Sequence, residues 1–80
     1  MSDLERTIAC YDRLGDKFIN EYIIEIDTDL LHDLWMAYDD DPLYYKIYPV
    51  GLNQKKAVEE LLGIALHFEM FDYFLECSVA

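Results

Sequence analysis

The sequence predicts an α+β fold: a three-stranded, mainly antiparallel sheet with two helices on one face, in the order β-β-α-α-β. Three observations lead there. Apolar residues alternate with a period of two around residues 22–26 and again at 71–79. Between these stretches, two segments repeat apolar residues at helical spacing, and each is preceded by a residue able to cap a helix. Eighty residues suffice for one small core but not for two, so the chain reads as a single domain over residues 1–80.

The elements follow in chain order. Residues 6–11 form a strand with Ile8 and Cys10 on one face and Thr7, Ala9 and Tyr11 on the other. Asp12-Arg13-Leu14-Gly15-Asp16 is a turn in which Gly15 can supply the positive φ of a short hairpin loop. Residues 17–26 form the second strand. Phe18, Tyr22, Ile24 and Ile26 share one parity, and Ile19, Glu21, Ile23 and Glu25 the other.

Asp27 or Thr28 can cap the first helix, with Asp29 near the positive end of its dipole. Leu30, Leu31, Leu34, Trp35 and Tyr38 make its buried stripe, so the helix is expected to reach Tyr38 and to place Trp35 in the core. Ile47-Tyr48-Pro49-Val50 is extended, and Pro49 is excluded from a central ladder position. Asn53 caps a second helix over residues 54–62, with Ala57, Val58, Leu61 and Leu62 as its stripe and Gly63 as its terminator. Lys55 and Lys56 are disfavoured in its first turn, which Glu59 and Glu60 offset by pairing. Residues 64–70 suit a further helical turn or a loop. The last strand, residues 71–79, turns Tyr73, Leu75, Cys77 and Val79 one way and Phe74, Glu76 and Ser78 the other.

Charge narrows the functional classes. Seventeen acids against six bases give a formal charge of −11, while 54% hydrophobic and 15% aromatic content separates the chain from disordered acidic tails. Such a charge repels phosphate backbones and anionic lipid, so neither nucleic acid nor membrane is an expected partner. It suits a basic protein, although solubility also accounts for it. Cys10 and Cys77 lack metal or redox spacing, residues 1–6 lack the apolar segment of a signal peptide, and no run approaches the about 18 apolar residues of a membrane span. A reduced, cytoplasmic protein is expected, as a monomer or weak dimer.

No residue pattern supports catalysis. His32 falls on the solvent side of the first helix, and neither it nor His67 has a motif-placed nucleophile. Asp27-x-Asp29 resembles the start of a calcium loop but lacks the glycine at the sixth position, where His32 stands. The three glycines are too scattered for a phosphate loop. No enzyme activity, metal or cofactor is expected.

Protein recognition remains, and one stretch draws it: Asp39-Asp40-Asp41-Pro42-Leu43-Tyr44-Tyr45-Lys46-Ile47-Tyr48. Three adjacent carboxylates repel one another and favour open backbone, and Pro42 pushes Asp41 towards extended geometry. Tyrosines are common interface anchors, so Asp39, Asp40, Asp41, Tyr44, Tyr45 and Tyr48 are the candidate partner-binding residues. The alternative is a solvated acidic loop whose tyrosines fold back onto the core. Tyr44, Tyr45 and Tyr48 cannot all face one way, so at least one is expected to be exposed.

Three segments together carry a resemblance: the Arg6-x-Ile8-x-x-Tyr11-Asp12 opening, the Asp40-Asp41-Pro42-Leu43-Tyr44 loop, and the final Phe71-Asp72-Tyr73-Phe74-Leu75-Glu76-Cys77 strand. In layout the chain resembles small acidic immunity proteins of bacterial contact-dependent growth inhibition and related polymorphic toxin systems. The resemblance implies a cytoplasmic antidote that covers the active site or substrate surface of one cognate toxin domain, often a nuclease. It assigns no catalytic residue and no interface residue. Two other readings stand beside it: an acidic DNA mimic that inhibits a host or phage nucleic-acid-binding protein, and a small regulatory interaction domain.

Overall fold

The structure, a computed structural model, describes residues 4–79, and of Val79 the backbone alone. The start of the chain at residues 1–3 and the facing expected of the Val79 side chain lie outside the described residues. Strand β1 (Leu4–Asp12) pairs along its whole length with the last strand, β4 (Phe71–Val79), from Leu4 opposite Val79 to Asp12 opposite Phe71. On its other side β1 pairs with β2 (Phe18–Ile24). Helix α1 (Thr28–Leu34), the two-residue strand β3 (Tyr48–Pro49) and helix α2 (Leu52–Leu62) lie between β2 and β4 in sequence. The sheet order is β2-β1-β4-β3, antiparallel throughout.

The α+β class and the antiparallel sheet with two helices agree with the sequence reading; the strand count does not. The described residues form four strands rather than three, in the order β-β-α-β-α-β. Tyr48 and Pro49 pair with Leu75 and Phe74, and Val50 donates its N–H to Tyr73 O at 2.9 Å. A strand of two residues is too short to show alternation. It also sits at the sheet edge, the position where a proline lacking N–H is tolerated.

The β1–β2 hairpin carries a second correction. Register shifts between Cys10, which faces Asn20, and Tyr11, which faces Phe18, so Ile19 is the extra residue of a bulge. One added residue reverses the facing of whatever precedes it. Phe18 therefore leaves the parity of Tyr22 and Ile24 and meets Tyr11 edge-on, with ring centroids 5.6 Å apart. In the turn, Asp12 Oδ1 accepts the Leu14 N–H at 3.0 Å, and Asp16 rather than Gly15 takes the positive φ, at 52°.

Helix α1 starts as expected, with Asp27 Oδ1 accepting the Leu30 N–H at 2.8 Å, but it ends a turn early. Trp35 is already extended at φ −131° and ψ 144°. Tertiary bonds take over from helical ones there: Trp35 O accepts from Tyr44, Trp35 Nε1 donates to Pro49 O at 2.7 Å, and the Tyr38 N–H donates to Tyr48. Trp35 thus reaches the core, as expected, from beyond the helix rather than within it.

Helix α2 begins with Gly51, not Asn53, as its N-cap; Gln54 Oε1 reaches back to accept the Gly51 N–H at 2.8 Å. Its end is as expected, with Gly63 at φ 70° donating to Glu59 O. Lys55 lies 3.8 Å from Glu59, the compensating pair. Of the stripe, Val58 is fully buried, Ala57 and Leu62 are half-buried, and Leu61 is exposed. Residues 64–70 form a loop ending in a turn, in which His67 O accepts from Met70 and Phe71.

Both helices cover one face of the sheet. Ile8, Cys10, Ile24, Tyr73 and Leu75 from that face pack with Leu31, Trp35, Val58 and Leu66. Fully burying side chains of the size of Ile8, Leu31 and Leu75 contributes about 1.5–3 kcal/mol each before entropy. Both thiols are free, Cys10 buried and Cys77 partly so. Cys10 faces Tyr73 while Cys77 faces Arg6, and four residues along a strand span about 13 Å, beyond disulfide reach. Among the described residues, the opposite face of the sheet carries no helix.

Candidate functional site

The acidic loop folds around one carboxylate. Asp41 is 4% exposed, and its Oδ1 accepts the Tyr45 N–H at 2.8 Å. Its Oδ2 accepts the Lys46 N–H at 2.9 Å and the Tyr48 hydroxyl at 2.7 Å. Burial pushes the Asp41 carboxyl up, but the Tyr48 hydroxyl, the two amides and the Lys46 charge outweigh it and hold the group below the usual carboxylate range. The Tyr48 hydroxyl is pushed up to about 12, first by burial and further by its bond to Asp41, against the Tyr38 N–H that favours the phenolate.

Tyr44 and Tyr48 complete an inward wall, each 1% exposed. Tyr44 holds a left-handed backbone, φ 62°, which turns its side chain under the loop. Its hydroxyl donates to Trp35 O at 2.7 Å, which leaves it to accept from His32 Nδ1 at 3.0 Å. Tyr38 stacks on Tyr48, with centroids 4.3 Å apart.

The six sequence-predicted residues therefore divide. Asp41, Tyr44 and Tyr48 shape the loop from inside. Asp39, Asp40 and Tyr45 face outward, Tyr45 at 50% exposure. The exposed tyrosine required by the spacing is Tyr45. Asp40 pairs with Lys46 at 2.6 Å; that hydrogen bond lowers the Asp40 pKa and raises that of Lys46. Leu43 and Ile47 stand exposed beside them.

A second surface escaped the sequence reading: the sheet face without helices. Tyr11, Phe18 and Phe74 meet edge-to-face there, Tyr11 and Phe74 at 5.7 Å. The Tyr11 hydroxyl donates to Glu76 Oε2 at 3.1 Å, and this bond is the first cause of its raised pKa. A cleft of about 330 Å³ is lined by Tyr11, Asp16, Ile47, Asp72, Phe74 and Glu76. Ile47 connects this cleft to the acidic loop, since its carbonyl accepts the Tyr38 hydroxyl at 3.1 Å. Ile19 and Ile23 add exposed aliphatic surface on β2. The available signal was the parity of β4, where Asp72, Phe74 and Glu76 alternate with core residues. An outward row bearing an aromatic between two acids is more than a solvated face needs.

Among the described residues, no three His, Cys, Asp or Glu side chains gather to hold a metal ion. Among the same residues, no helix is long and apolar enough to cross a membrane.

Fold and surfaces define a small, strongly acidic α+β domain with carboxylates placed beside exposed aromatic and aliphatic groups. The chain belongs to the family described as Domain of unknown function (DUF7683), whose profile matches residues 5–76. No curated protein and no solved structure matches the chain.

Proposed function

We propose that this chain is a cytoplasmic immunity protein that binds one cognate toxin domain and neutralises it by covering a basic, substrate-binding surface. The observation that carries this reading is the pairing of charge with unpartnered apolar surface. A chain of formal charge −11 leaves Phe18, Ile23, Tyr45 and Ile47 each half or more exposed among its carboxylates. Charge alone serves solubility; charge beside apolar anchors suits a partner that is steered in electrostatically and then held by burial. A nuclease toxin presents the required cations, because it must itself hold a phosphate backbone. No step calls for catalysis or a cofactor from this chain.

The test is capture of the toxin domain encoded by the gene immediately upstream, with this protein as bait, titrated against salt and read out with the toxin's nuclease activity. Tight binding that weakens as salt rises, together with loss of toxin activity, supports immunity. Absence of binding, or binding that leaves the toxin active, overturns it and brings forward inhibition of a nucleic-acid-binding protein by DNA mimicry, or a regulatory interaction domain.

A further inference from the structure

We infer that the cleft on the helix-free sheet face, lined by Tyr11 and Phe74, receives an arginine side chain of a basic protein partner. The inference rests on the proposed function for the kind of partner and adds where and how that partner is held. Register places the walls. Tyr11 lies opposite Asp72, Ala9 opposite Phe74 and Thr7 opposite Glu76, so the aromatic and acidic side chains of the two central strands share one face. Thr7 and Ala9 are short and buried beneath these longer neighbours, and the cleft opens beside them, lined by Tyr11, Asp16, Ile47, Asp72, Phe74 and Glu76.

The lining selects the occupant. Asp16, Asp72 and Glu76 border the cleft and no Lys or Arg does, so a purely apolar segment would strip water from carboxylates without replacing it. A second copy of this chain, itself at −11, would be repelled from the site. A guanidinium satisfies both halves of the site: its plane stacks on an aromatic ring and its fork of N–H groups meets carboxylates. An ammonium is a point charge with a tighter hydration shell and gains less from the rings. The Tyr11–Glu76 bond holds ring and carboxylate in fixed relation before any partner arrives.

The experiment follows amide and side-chain NMR resonances of the whole chain at low salt during titration with a blocked peptide of alternating arginine and leucine. Lysine and citrulline counterparts serve as comparisons. The expected result is shifts centred on Tyr11, Asp72, Phe74 and Glu76, with arginine about threefold or more tighter than lysine and citrulline not binding. Asp72→Asn and Phe74→Leu should each weaken the arginine peptide at least about threefold. Both alter side chains outside the core, and an unchanged backbone spectrum verifies the fold. Shifts centred on Asp39 and Asp40, shifts spread evenly over the surface, or equal affinity for lysine overturn the inference while leaving the proposed function standing. Arginine seated in the cleft of a protein that ignores the upstream toxin domain would retain the cleft and remove the immunity reading.

Discussion

The Tyr48 hydroxyl donates to Asp41 Oδ2 at 2.7 Å, joining the first residue of β3 to the buried acid at the head of the loop that leads to it. Three of the loop's donors end on this one carboxylate, so a segment that composition marks as open and solvated is held in one shape. The three aspartates are chemically alike in sequence and structurally unlike in place.

That difference predicts opposite responses to the same substitution. Asp41→Asn offers one acceptor oxygen where a carboxylate served three donors, and it should lower Tm clearly. Asp39→Asn should leave Tm unchanged or raise it slightly, since it removes one unit of self-repulsion from a chain at −11. Asp40→Asn should change Tm little, because the same relief is set against loss of the exposed Lys46 pair. Thermal melts followed by the fluorescence of Trp35, the sole tryptophan, measure all three.

Binding should divide along the same line. Charge reversal at Asp39 and Asp40 is expected to slow association with the partner and flatten its salt dependence, whereas Tyr45→Ala accelerates dissociation. Asp41 is left out of this test because its loss disturbs the loop itself. Surface-based kinetics at two salt concentrations would show it, and unchanged rates in both sets would exclude the loop from the interface.

Stability should fall at both ends of the pH scale for separate reasons. The folded Asp41 carboxyl lies below its ordinary value of about 3.9, so its contribution is full above that value and is lost as pH falls through the lower folded pKa. Tyr48 has the opposite sign. Its hydroxyl is raised from 10.0 to about 12, so its contribution is full below pH 10 and is lost as pH climbs towards 12. Urea midpoints between pH 9 and 12 should decline less steeply in Tyr48→Phe than in the parent chain. Some decline persists, because Tyr11 and Tyr73 are raised as well, by the Glu76 bond and by burial respectively.

Two leucines given equal standing by helical spacing should separate on truncation. Leu31 is 0% exposed, and Leu31→Ala should cost about 2–5 kcal/mol, a large share of the roughly 5–15 kcal/mol that such domains possess. Leu61 is 42% exposed, and Leu61→Ala should cost well under half as much. Urea unfolding with unchanged m-values decides it.

The glycines offer a similar contrast. Gly63 sits at φ 70°, where an added Cβ is strained, so Gly63→Ala should cost about 1–2 kcal/mol. Gly15 has no positive φ and open space around its Cα, so Gly15→Ala should be neutral or stabilise by up to about 1 kcal/mol. Calorimetric melts distinguish the two.

Sequence alone determined the features that depend on near neighbours. Alternation marked β1, β2 and β4, helical spacing marked α1 and α2, and Asp27 and Gly63 marked where one helix begins and the other ends. Each is a relation within about four residues, the range over which backbone period and capping act. Tertiary structure decided what depends on residues far along the chain. Tyr44 turned inward to the carbonyl of Trp35, a bond that also helps end α1 before Tyr38. Tyr48 and Pro49 became a strand because β4 offered a free edge. Ile19 bulged, so Phe18 joined Tyr11 and Phe74 on the open face and completed the aromatic cluster beside the acidic cleft. Local pattern shows which side chains can be buried; only the assembled sheet settles which are, because burial belongs to the pair of surfaces that meet.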